Sequence, residues 1–506
     1  MSSAPGRTTA GRGAGRAPGA HEHLLRQVRA ELDGGATTRQ ACRHVGALAG
    51  VHPATLLQWW RASDRTGAPV RSGPSRRHLL TLRLVALLGL AVLGADVTLG
   101  NVLPTAGVLA AGLLPVWAGA LARFPGARAV VLLAVASVGC GLLLVALPGA
   151  HAVELRFTVA TCTRTLALVL GLGFVLWCRG FLRVETVALG YGAGVLLAAL
   201  PHVPGSPNAW KYQLALPVTL VVLALVQRVP GPTGSVVVLL ALVGLGAVSV
   251  VRDYRSFFGF TALTAVVVGW QLLRAGGRVR RRPRRAPVAP WLATGALLAL
   301  AGAALYRGAE QLLLSGVLGR ELQLRSEAQV RAAGSLLAGG RPEWAGTLRL
   351  MRDTPAGFGP GAVPSPHDVV VAREGLATVG LGPDNGYVDN YMFGGQFRLH
   401  STVADAWSNF GWVGVAFTLL LGLLVVHALL TRVAAGTASA LVVLLGLRAL
   451  WDLAVGPMYT DLPEVVLALA LALQARPDPP LRSTGRLRTA TALPAAPRRT
   501  PTGVAG

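Results

Sequence analysis

Apolar runs long enough to cross a membrane recur along most of this 506-residue chain, and they restrict the folds that are open to it. A helix of roughly 20 apolar residues matches the hydrocarbon thickness of a bilayer. Twelve runs approach that length, at residues 80–98, 102–122, 128–148, 157–177, 184–200, 213–228, 234–251, 256–274, 291–316, 409–431, 436–455 and 461–475. We therefore predict an all-α polytopic membrane protein with about twelve transmembrane helices.

Arginine clusters alternate with arginine-poor connections between these runs. The formal net charge is +25, and Lys211 is the only lysine. The arginine-rich connections include Arg123, Arg179, Arg432 and the run 274–285. Because cytoplasmic loops of membrane proteins are enriched in Lys and Arg, these connections are predicted to face the cytoplasm. The positive charge is then mainly a topology signal and is not by itself evidence for nucleic-acid binding.

This pattern predicts a multi-pass protein of the cytoplasmic membrane with both termini in the cytoplasm. The connection between the ninth and tenth spans is then extracytoplasmic, and from Arg320 to Asp405 it carries eight arginines against nine acidic residues. The predicted segments are a disordered basic tail (1–20), a cytosolic helical module (21–66), a linker (67–78), spans 1–9 (79–318), an extracytoplasmic catalytic loop (319–408), spans 10–12 (409–475) and a disordered cytosolic tail (476–506).

The N-terminal module reads as helices broken at Asp33-Gly-Gly and again from Gly50 to Pro53. It loosely resembles the helix-turn-helix of transposase-type DNA-binding proteins. That resemblance implies that the last helix contacts nucleic acid in a major groove. The alternative is a small helical bundle in which Trp59 and Trp60 form the core.

Short motifs in the long loop carry a second resemblance. Arg341 precedes Trp344 by three positions, a short helix opened by Pro342 follows, and a glycine-dense bend covers 355–361. His400 then precedes an amphipathic helix that ends at Asn409-Phe-Gly-Trp-Val-Gly414. From about residue 79 to 473, the order of spans and motifs resembles the bacterial O-antigen ligase and polymerase superfamily.

The resemblance implies a membrane glycosyltransferase of polysaccharide biosynthesis in the cell envelope, acting without a metal or cofactor. Its donor would be an undecaprenyl-diphosphate-linked oligosaccharide, its other partners a glycan acceptor and membrane lipids. His400 matches the family's catalytic histidine, Arg341 its loop arginine, and Arg255 the arginine before serine at the outer start of a span. Ser401 and Asp405 stand where the family commonly has Asn and Glu.

The chemistry suits these residue types. A sugar hydroxyl attacks the anomeric carbon, and a departing diphosphate gains negative charge that arginine's planar fork can pair with. A histidine can accept the hydroxyl proton. Further candidate substrate contacts are Arg352, Arg398, Tyr387 and Lys211.

Several of these assignments have alternatives. Lys211 can instead be an interfacial anchor between Trp210 and Tyr212. Tyr387 belongs to an aromatic and amide set from 384 to 391 that turn chemistry explains equally well. Arg164, inside a predicted span, can contact a diphosphate or pair with Glu185 or Asp96. For the glycines from 357 to 361 we expect backbone flexibility.

Two other classes of function remain open. A transporter or exporter of glycan or lipid also shows many spans and intramembrane charge, although such proteins often have repeated halves. The other class is a membrane-tethered regulator, in which the spans would sense a ligand and the N-terminal module would be the regulatory part. Transfer that survives deletion of residues 1–78 would separate the enzyme from the regulator.

Overall fold

The structure is a computed structural model that describes residues 18–33, 35, 37–49, 53–65, 76–100, 102–147, 151–275, 288–317, 319–382 and 386–476. Most of both predicted tails and of the predicted linker lies outside these residues. The described chain is helical apart from one short hairpin, in which β1 (Thr98–Leu99) pairs antiparallel with β2 (Leu103–Pro104). It divides into two compact units, residues 1–85 and 86–506, which are described separately.

Three helices build the N-terminal unit: α1 (Pro18–Asp33), α2 (Thr38–Ala49) and α3 (Pro53–Arg65). The break between α1 and α2 falls at the predicted Asp33-Gly-Gly, and the break between α2 and α3 falls at the predicted segment from Gly50 to Pro53. Thr37 and Gln40 cap the start of α2, because the Gln40 side chain accepts from the Thr37 N–H at 3.0 Å. Trp60 is buried and Trp59 packs beside it in the small core. Both tryptophans thus serve packing, and DNA contact stays a prediction.

Seven helices of the described chain are long and apolar enough to cross a membrane, or eight if one bent pair forms a single broken span. The seven are α7 (Ala127–Ala146), α8 (Leu155–Cys178), α9 (Val184–Ala199), α11 (Gly231–Val251), α12 (Arg255–Ala275), α13 (Val288–Leu314) and α18 (Thr402–Ala434). The bent pair is α5 (Thr105–Gly112) and α6 (Leu114–Trp117), which a 3₁₀ turn extends to Arg123. Pro115 explains the 65° bend, since proline cannot continue the helical hydrogen bonds across the break.

The helices at the remaining predicted spans are shorter, or, as in α4, only their apolar part is shorter. They are α4 (Arg76–Ala95), α10 (Ala215–Val226, preceded by a π turn Trp210–Leu214), α19 (Ala440–Val455) and α20 (Met458–Ala472). A 3₁₀ turn, Leu200–His202, follows α9. The structure thus supports a multi-span helical protein with seven or eight candidate spans, and the count of twelve stays a prediction.

Two arginines from different spans bind one helix end. Arg179, after α8, donates from Nη1 to the Leu473 carbonyl at 2.6 Å, and Arg432 in α18 donates from Nε to the Ala472 carbonyl at 2.9 Å. Both carbonyls lie where α20 ends, a position at which positive side chains stabilise the helix dipole. The ends of α8, α18 and α20 therefore lie together, and the first turn of α20 is roughly 20 Å away.

The long loop folds around its own apolar core. Its helices are α14 (Arg320–Ala333), α15 (Leu336–Gly339), α16 (Glu343–Asp353) and α17 (Pro366–Ala377), followed by a π turn, Val388–Met392. Phe358 and Phe397 stack with ring centroids 3.9 Å apart, and Trp407 from α18 packs edge-on against Phe358. The predicted loop boundary at residue 408 falls within α18. The helix breaks at Gly411, whose φ of +62° and ψ of −154° are not helical.

The glycine-dense bend is fixed in place, contrary to the expected flexibility. Gly357, Gly359 and Gly361 are buried with φ of +88°, +94° and +77°. The amides of Phe358 and Gly359 donate to the Ser408 carbonyl at 2.8 and 2.9 Å. The Gly361 carbonyl accepts from the Glu154 N–H at 2.9 Å. This bend therefore joins the loop to both α8 and α18.

Replacement of Gly361 by alanine is expected to detach the bend from α8. A Cβ at this position would lie 2.3 Å from Thr158 Oγ1 and 2.7 Å from the Glu154 carbonyl oxygen. The left-handed backbone adds about 1–3 kcal/mol of strain for a non-glycine residue. Limited proteolysis of the purified protein should show faster cleavage between α16 and α17. Gly394→Ala is the control, because an added Cβ there meets no neighbour within 4 Å, and equal protection of both variants would contradict the expectation.

Candidate functional site

A corner between α19 and α20, residues 452–461, collects polar groups from three parts of the chain. The helix α18 contributes its first turn, the loop contributes α16 and Arg341, which lies two residues before that helix, and α20 contributes its own first turn. Trp344 of α16 donates from its indole nitrogen to the Ala454 carbonyl at 2.9 Å and so fixes the loop against this corner. We call residues 452–461 the α19–α20 corner.

The first turn of α18 is bound to this corner through buried side chains. Ser401 is the N-cap of α18 and accepts from the Ala404 N–H at 3.3 Å. Thr402 Oγ1 lies 3.0 Å from the carbonyl oxygens of both Asp452 and Gly456. These buried hydrogen bonds anchor the main chain just after His400 to the corner.

Asp405 holds the backbone on both sides of the site. One carboxylate oxygen accepts from the Leu399 N–H at 2.7 Å, and the other accepts from the Met458 N–H at 2.9 Å. The residue before His400 and the first residue of α20 thus share one buried carboxylate. The two departures from the family pattern, Ser401 and Asp405, therefore position the main chain around His400.

His400 itself is held in a strained conformation. Its φ of +52° lies in the left-handed region, which costs a non-glycine residue about 1–3 kcal/mol. The half-buried ring places Nε2 2.8 Å from the Tyr391 carbonyl oxygen. Because a carbonyl oxygen can only accept, Nε2 carries the proton and Nδ1 of the neutral ring keeps its lone pair. His400 can therefore act as a base through Nδ1.

Two predicted arginines lie at the same corner. Arg341 is half-buried and interacts electrostatically with Asp452 and Asp461, and within the described residues it forms no ion pair or side-chain hydrogen bond. Arg398 is exposed and interacts electrostatically with Tyr459. In the amide orientation of Gln396 that satisfies both groups, the Gln396 oxygen accepts from Arg398 Nε and Nη2, each at 3.2 Å. Both guanidinium groups remain able to bind an anion.

The Tyr387 side chain packs against the apolar core of the loop. Its hydroxyl donates to Glu343 Oε1 at 2.5 Å, and its ring packs against Tyr391 with centroids 5.1 Å apart. Burial and then the bonded Glu343 carboxylate raise the pKa of the Tyr387 phenol, while Arg341 acts in the opposite direction. Asp384 and Asn385, which belong to the same aromatic and amide set from 384 to 391, lie outside the described residues.

The other predicted contacts lie elsewhere. Arg255 donates from Nε to Asp253 Oδ1 at 3.0 Å and from Nη1 to Ser326 at 3.5 Å, so it joins the start of α12 to α14. Arg352 is exposed on α16, and Lys211 places Nζ 5.4 Å from the Tyr212 ring centroid. Within the described chain, no hydrogen bond or ion pair connects any of these three side chains to His400 or Arg341.

Sequence reasoning missed a buried ion network in α19 and α20. Arg448 Nε lies 3.2 Å from Asp452 Oδ2, and Arg448 Nη2 lies 2.5 Å from Glu464 Oε2. Asp461, also at the corner, interacts electrostatically with Arg448. The signal was available, because four ionisable residues within two apolar runs, two of them at i and i+4, indicate a functional or paired group.

A second histidine was also missed. His151, in the connection between α7 and α8, places Nε2 2.9 Å from Asp368 Oδ2, and its ring packs edge-on against Phe358. Asp368 completes the capping box of α17. The long loop contains a further histidine, His367, which is exposed and lies 3.2 Å from Asp353. No sequence pattern marked His151, since its partner lies 217 positions away.

Helix length and hydropathy define this chain as a multi-span helical membrane protein. Within the described residues, no three His, Cys, Asp or Glu side chains converge as metal ligands. Neither a protein-family profile, nor a curated protein, nor a solved structure matches the chain. The resemblance to O-antigen ligases and polymerases therefore rests only on the order of the spans and on the short sequence motifs.

Proposed function

We propose that this protein is a membrane glycosyltransferase that polymerises or ligates surface polysaccharide from an undecaprenyl-diphosphate-linked glycan donor. The observation that carries the proposal is the His400 ring, whose Nε2 is held by a backbone carbonyl at 2.8 Å while Nδ1 is left as a proton acceptor. The site lies at the end of α20 opposite the predicted cytoplasmic arginines. That placement suits transfer on the outer side of the cytoplasmic membrane.

In the proposed reaction, His400 Nδ1 accepts the proton of an acceptor sugar hydroxyl as that oxygen attacks the anomeric carbon. The bond from the anomeric carbon to the diphosphate oxygen breaks, and its electron pair stays with the lipid diphosphate. A well-placed general base contributes roughly 10²- to 10⁴-fold to such a rate. The strained backbone of His400 fits a residue that is held for chemistry.

Arg341 and Arg398 are the proposed anion clamp. Leaving-group charge grows as the bond breaks, and guanidinium groups close to that charge stabilise the transition state more than the ground state. Asp452 and Asp461 attract Arg341 electrostatically, but neither forms an ion pair with its guanidinium group in the described chain. Arg341 is therefore already oriented when the donor arrives.

Substitution of Arg341 by glutamine is expected to raise the KM for the lipid-linked donor by roughly tenfold or more. Charge-assisted hydrogen bonds are worth about 1.5–3 kcal/mol, which corresponds to a factor of about 10 to 100 in affinity. The purified protein in nanodiscs would be assayed with a radiolabelled donor. Arg349→Gln is the matched control, because Arg349 is exposed on α16, the helix that follows Arg341, and already pairs with Glu374 at 2.9 Å. Equal KM values for both variants would contradict the clamp.

Surface glycans from a deletion strain would test the activity and its type. Loss of a polymerase leaves products one repeat unit long, whereas loss of a ligase leaves long chains on the lipid carrier. Unchanged surface glycans, together with no transfer by the purified protein, would refute the proposal.

Export of glycan or lipid is a second candidate, favoured by the buried network around Arg448. Ionisable groups within spans mark substrate or ion paths in many transporters. Proteoliposomes that move a labelled lipid-linked glycan across the bilayer without forming a new glycosidic bond would favour the exporter. New glycosidic product without an ion gradient would favour the transferase.

A further inference from the structure

A pocket opens beside the α19–α20 corner, between the end of α4, the start of α5, α8 and α20. Most of its wall is apolar and comes from α8 and α20, for example Leu168, Val175, Leu462 and Val466. Arg164, Asp96, Tyr191 and Tyr459 are among the few side chains with polar groups that line it. An apolar wall with few polar groups is typical of a site for an amphiphile.

Arg164 is the unusual member of this wall. It is the tenth residue of the 24-residue helix α8, so its Cα lies well inside the span. Its Nε is buried without a hydrogen-bond partner, and its guanidinium carbon lies 5.9 Å from the Tyr459 ring centroid. Glu185, one of its two expected partners, pairs instead with Arg183 at 3.4 Å.

Asp96, the other expected partner, lines the same pocket and interacts electrostatically with Arg164, but no ion pair joins the two in the described chain. An arginine within a span costs about 2.5–3.5 kcal/mol even on insertion scales. A cation that the protein leaves unpaired at such a depth is suited to an anionic ligand, which its planar fork can bind through two oxygens.

The pocket adjoins the His400 site through the first turn of α20. Met458 and Tyr459 line the pocket, while the Met458 N–H binds the same Asp405 carboxylate that holds Leu399 beside His400. Arg398 and Arg164 both interact electrostatically with Tyr459. A ligand with its charged end at Arg164 would therefore present that end to the first turn of α20.

We propose that this pocket binds the phosphate end of an isoprenoid diphosphate lipid, with Arg164 pairing with phosphate oxygens and the first isoprene units lying against α8 and α20. The inference rests on the proposed function, because the donor's diphosphate must then reach His400. Arg164 and Arg398 attract the anion, and the Asp96 carboxylate opposes it. Selectivity comes from the apolar wall, which a soluble phosphate cannot use.

Opposite changes are expected for the two pocket charges. The probe is farnesyl diphosphate, titrated against the full-length protein in phosphatidylcholine nanodiscs. Arg164→Gln should weaken binding at least about tenfold, because a charge-assisted pair is lost. Asp96→Asn should tighten binding several-fold, because it removes a like charge. Asparagine also tolerates the positive φ of +44° at this position, so the backbone need not change.

Controls separate this inference from a structural role of Arg164. Arg156→Gln removes an exposed arginine from the same helix and should bind like the wild type. Arg164→Gln should fold as stably as the wild type, since it breaks no ion pair of the described chain. A strongly destabilised Arg164→Gln, or weaker binding by Asp96→Asn, would overturn the proposal in favour of a structural pair.

Other outcomes also decide. Farnesol binding as tightly as the diphosphate would overturn the role of Arg164, and displacement of the probe by phosphatidylglycerol at equal concentration would assign the pocket to a phospholipid instead. His400→Asn should bind the probe like the wild type while it fails in transfer. Normal transfer with unchanged probe binding by Arg164→Gln would refute this inference alone, whereas Arg164-dependent binding without any transfer by the wild type would refute the proposed function alone.

Discussion

His400→Asn should lose roughly 10²- to 10⁴-fold in the rate of glycan transfer while the protein inserts and folds normally. The base is removed because asparagine cannot accept a proton at neutral pH. Asparagine adopts a positive φ more readily than most residues, so the strained backbone at +52° is retained. Single-turnover transfer from a radiolabelled lipid-linked donor in nanodiscs measures the rate without interference from product release.

Two further variants complete this experiment. His367→Asn is the matched control, since His367 lies in the same loop but is exposed and lies close to Asp353. It should transfer at the wild-type rate. His151→Asn tests the other histidine: a loss confined to this variant, with His400→Asn fully active, would move the base to the pair of His151 and Asp368. Normal transfer by both His400→Asn and His151→Asn would exclude these two histidines as the base.

Arg448→Met should destabilise the membrane domain by about 3–5 kcal/mol. The substitution leaves Asp452 and Glu464 without the guanidinium that lies 3.2 and 2.5 Å from them, and unpaired buried carboxylates are costly. The α19–α20 corner, to which Thr402 is hydrogen-bonded and in which Met458 lies, should become less ordered as a result. Thermal unfolding in detergent, followed by tryptophan fluorescence, measures the change against Arg307→Met, which alters an exposed pair with Glu310. For that control at most about 0.5 kcal/mol is expected.

A triple variant gives the Arg448 prediction a sharper form. Arg448→Met combined with Asp452→Asn and Glu464→Gln removes the charge along with its partners and should recover much of the lost stability. A single Arg448→Met variant as stable as Arg307→Met would show that the network is not structural. If stability were lost without recovery in the triple variant, side-chain packing and not charge would be the cause.

Local patterns predicted much of the fold. Helices occur at every apolar run, and the N-terminal helices break at the expected glycines and proline, because span hydropathy and helix capping depend on residues near one another in sequence. The bend at Pro115 and the ionisable residues of α19 and α20 were readable in the same way, although their meaning was missed. The packed conformation of Gly357 to Gly361 was not readable, since glycine serves both flexible and crowded backbones.

The sequence alone determined that this chain is a multi-span helical membrane protein and that His400 and Arg341 lie in its longest polar loop. Only the tertiary structure decided that the chain just after His400 is bound to the α19–α20 corner and that Arg341 lies near the aspartates there. It also decided that Asp405 fixes the backbone beside His400 and that Arg164 forms no ion pair within the described residues. Hydropathy is a property of each segment and can be read along the chain. Contacts between α16, α18 and α20 join residues tens of positions apart, and they depend on how whole helices pack.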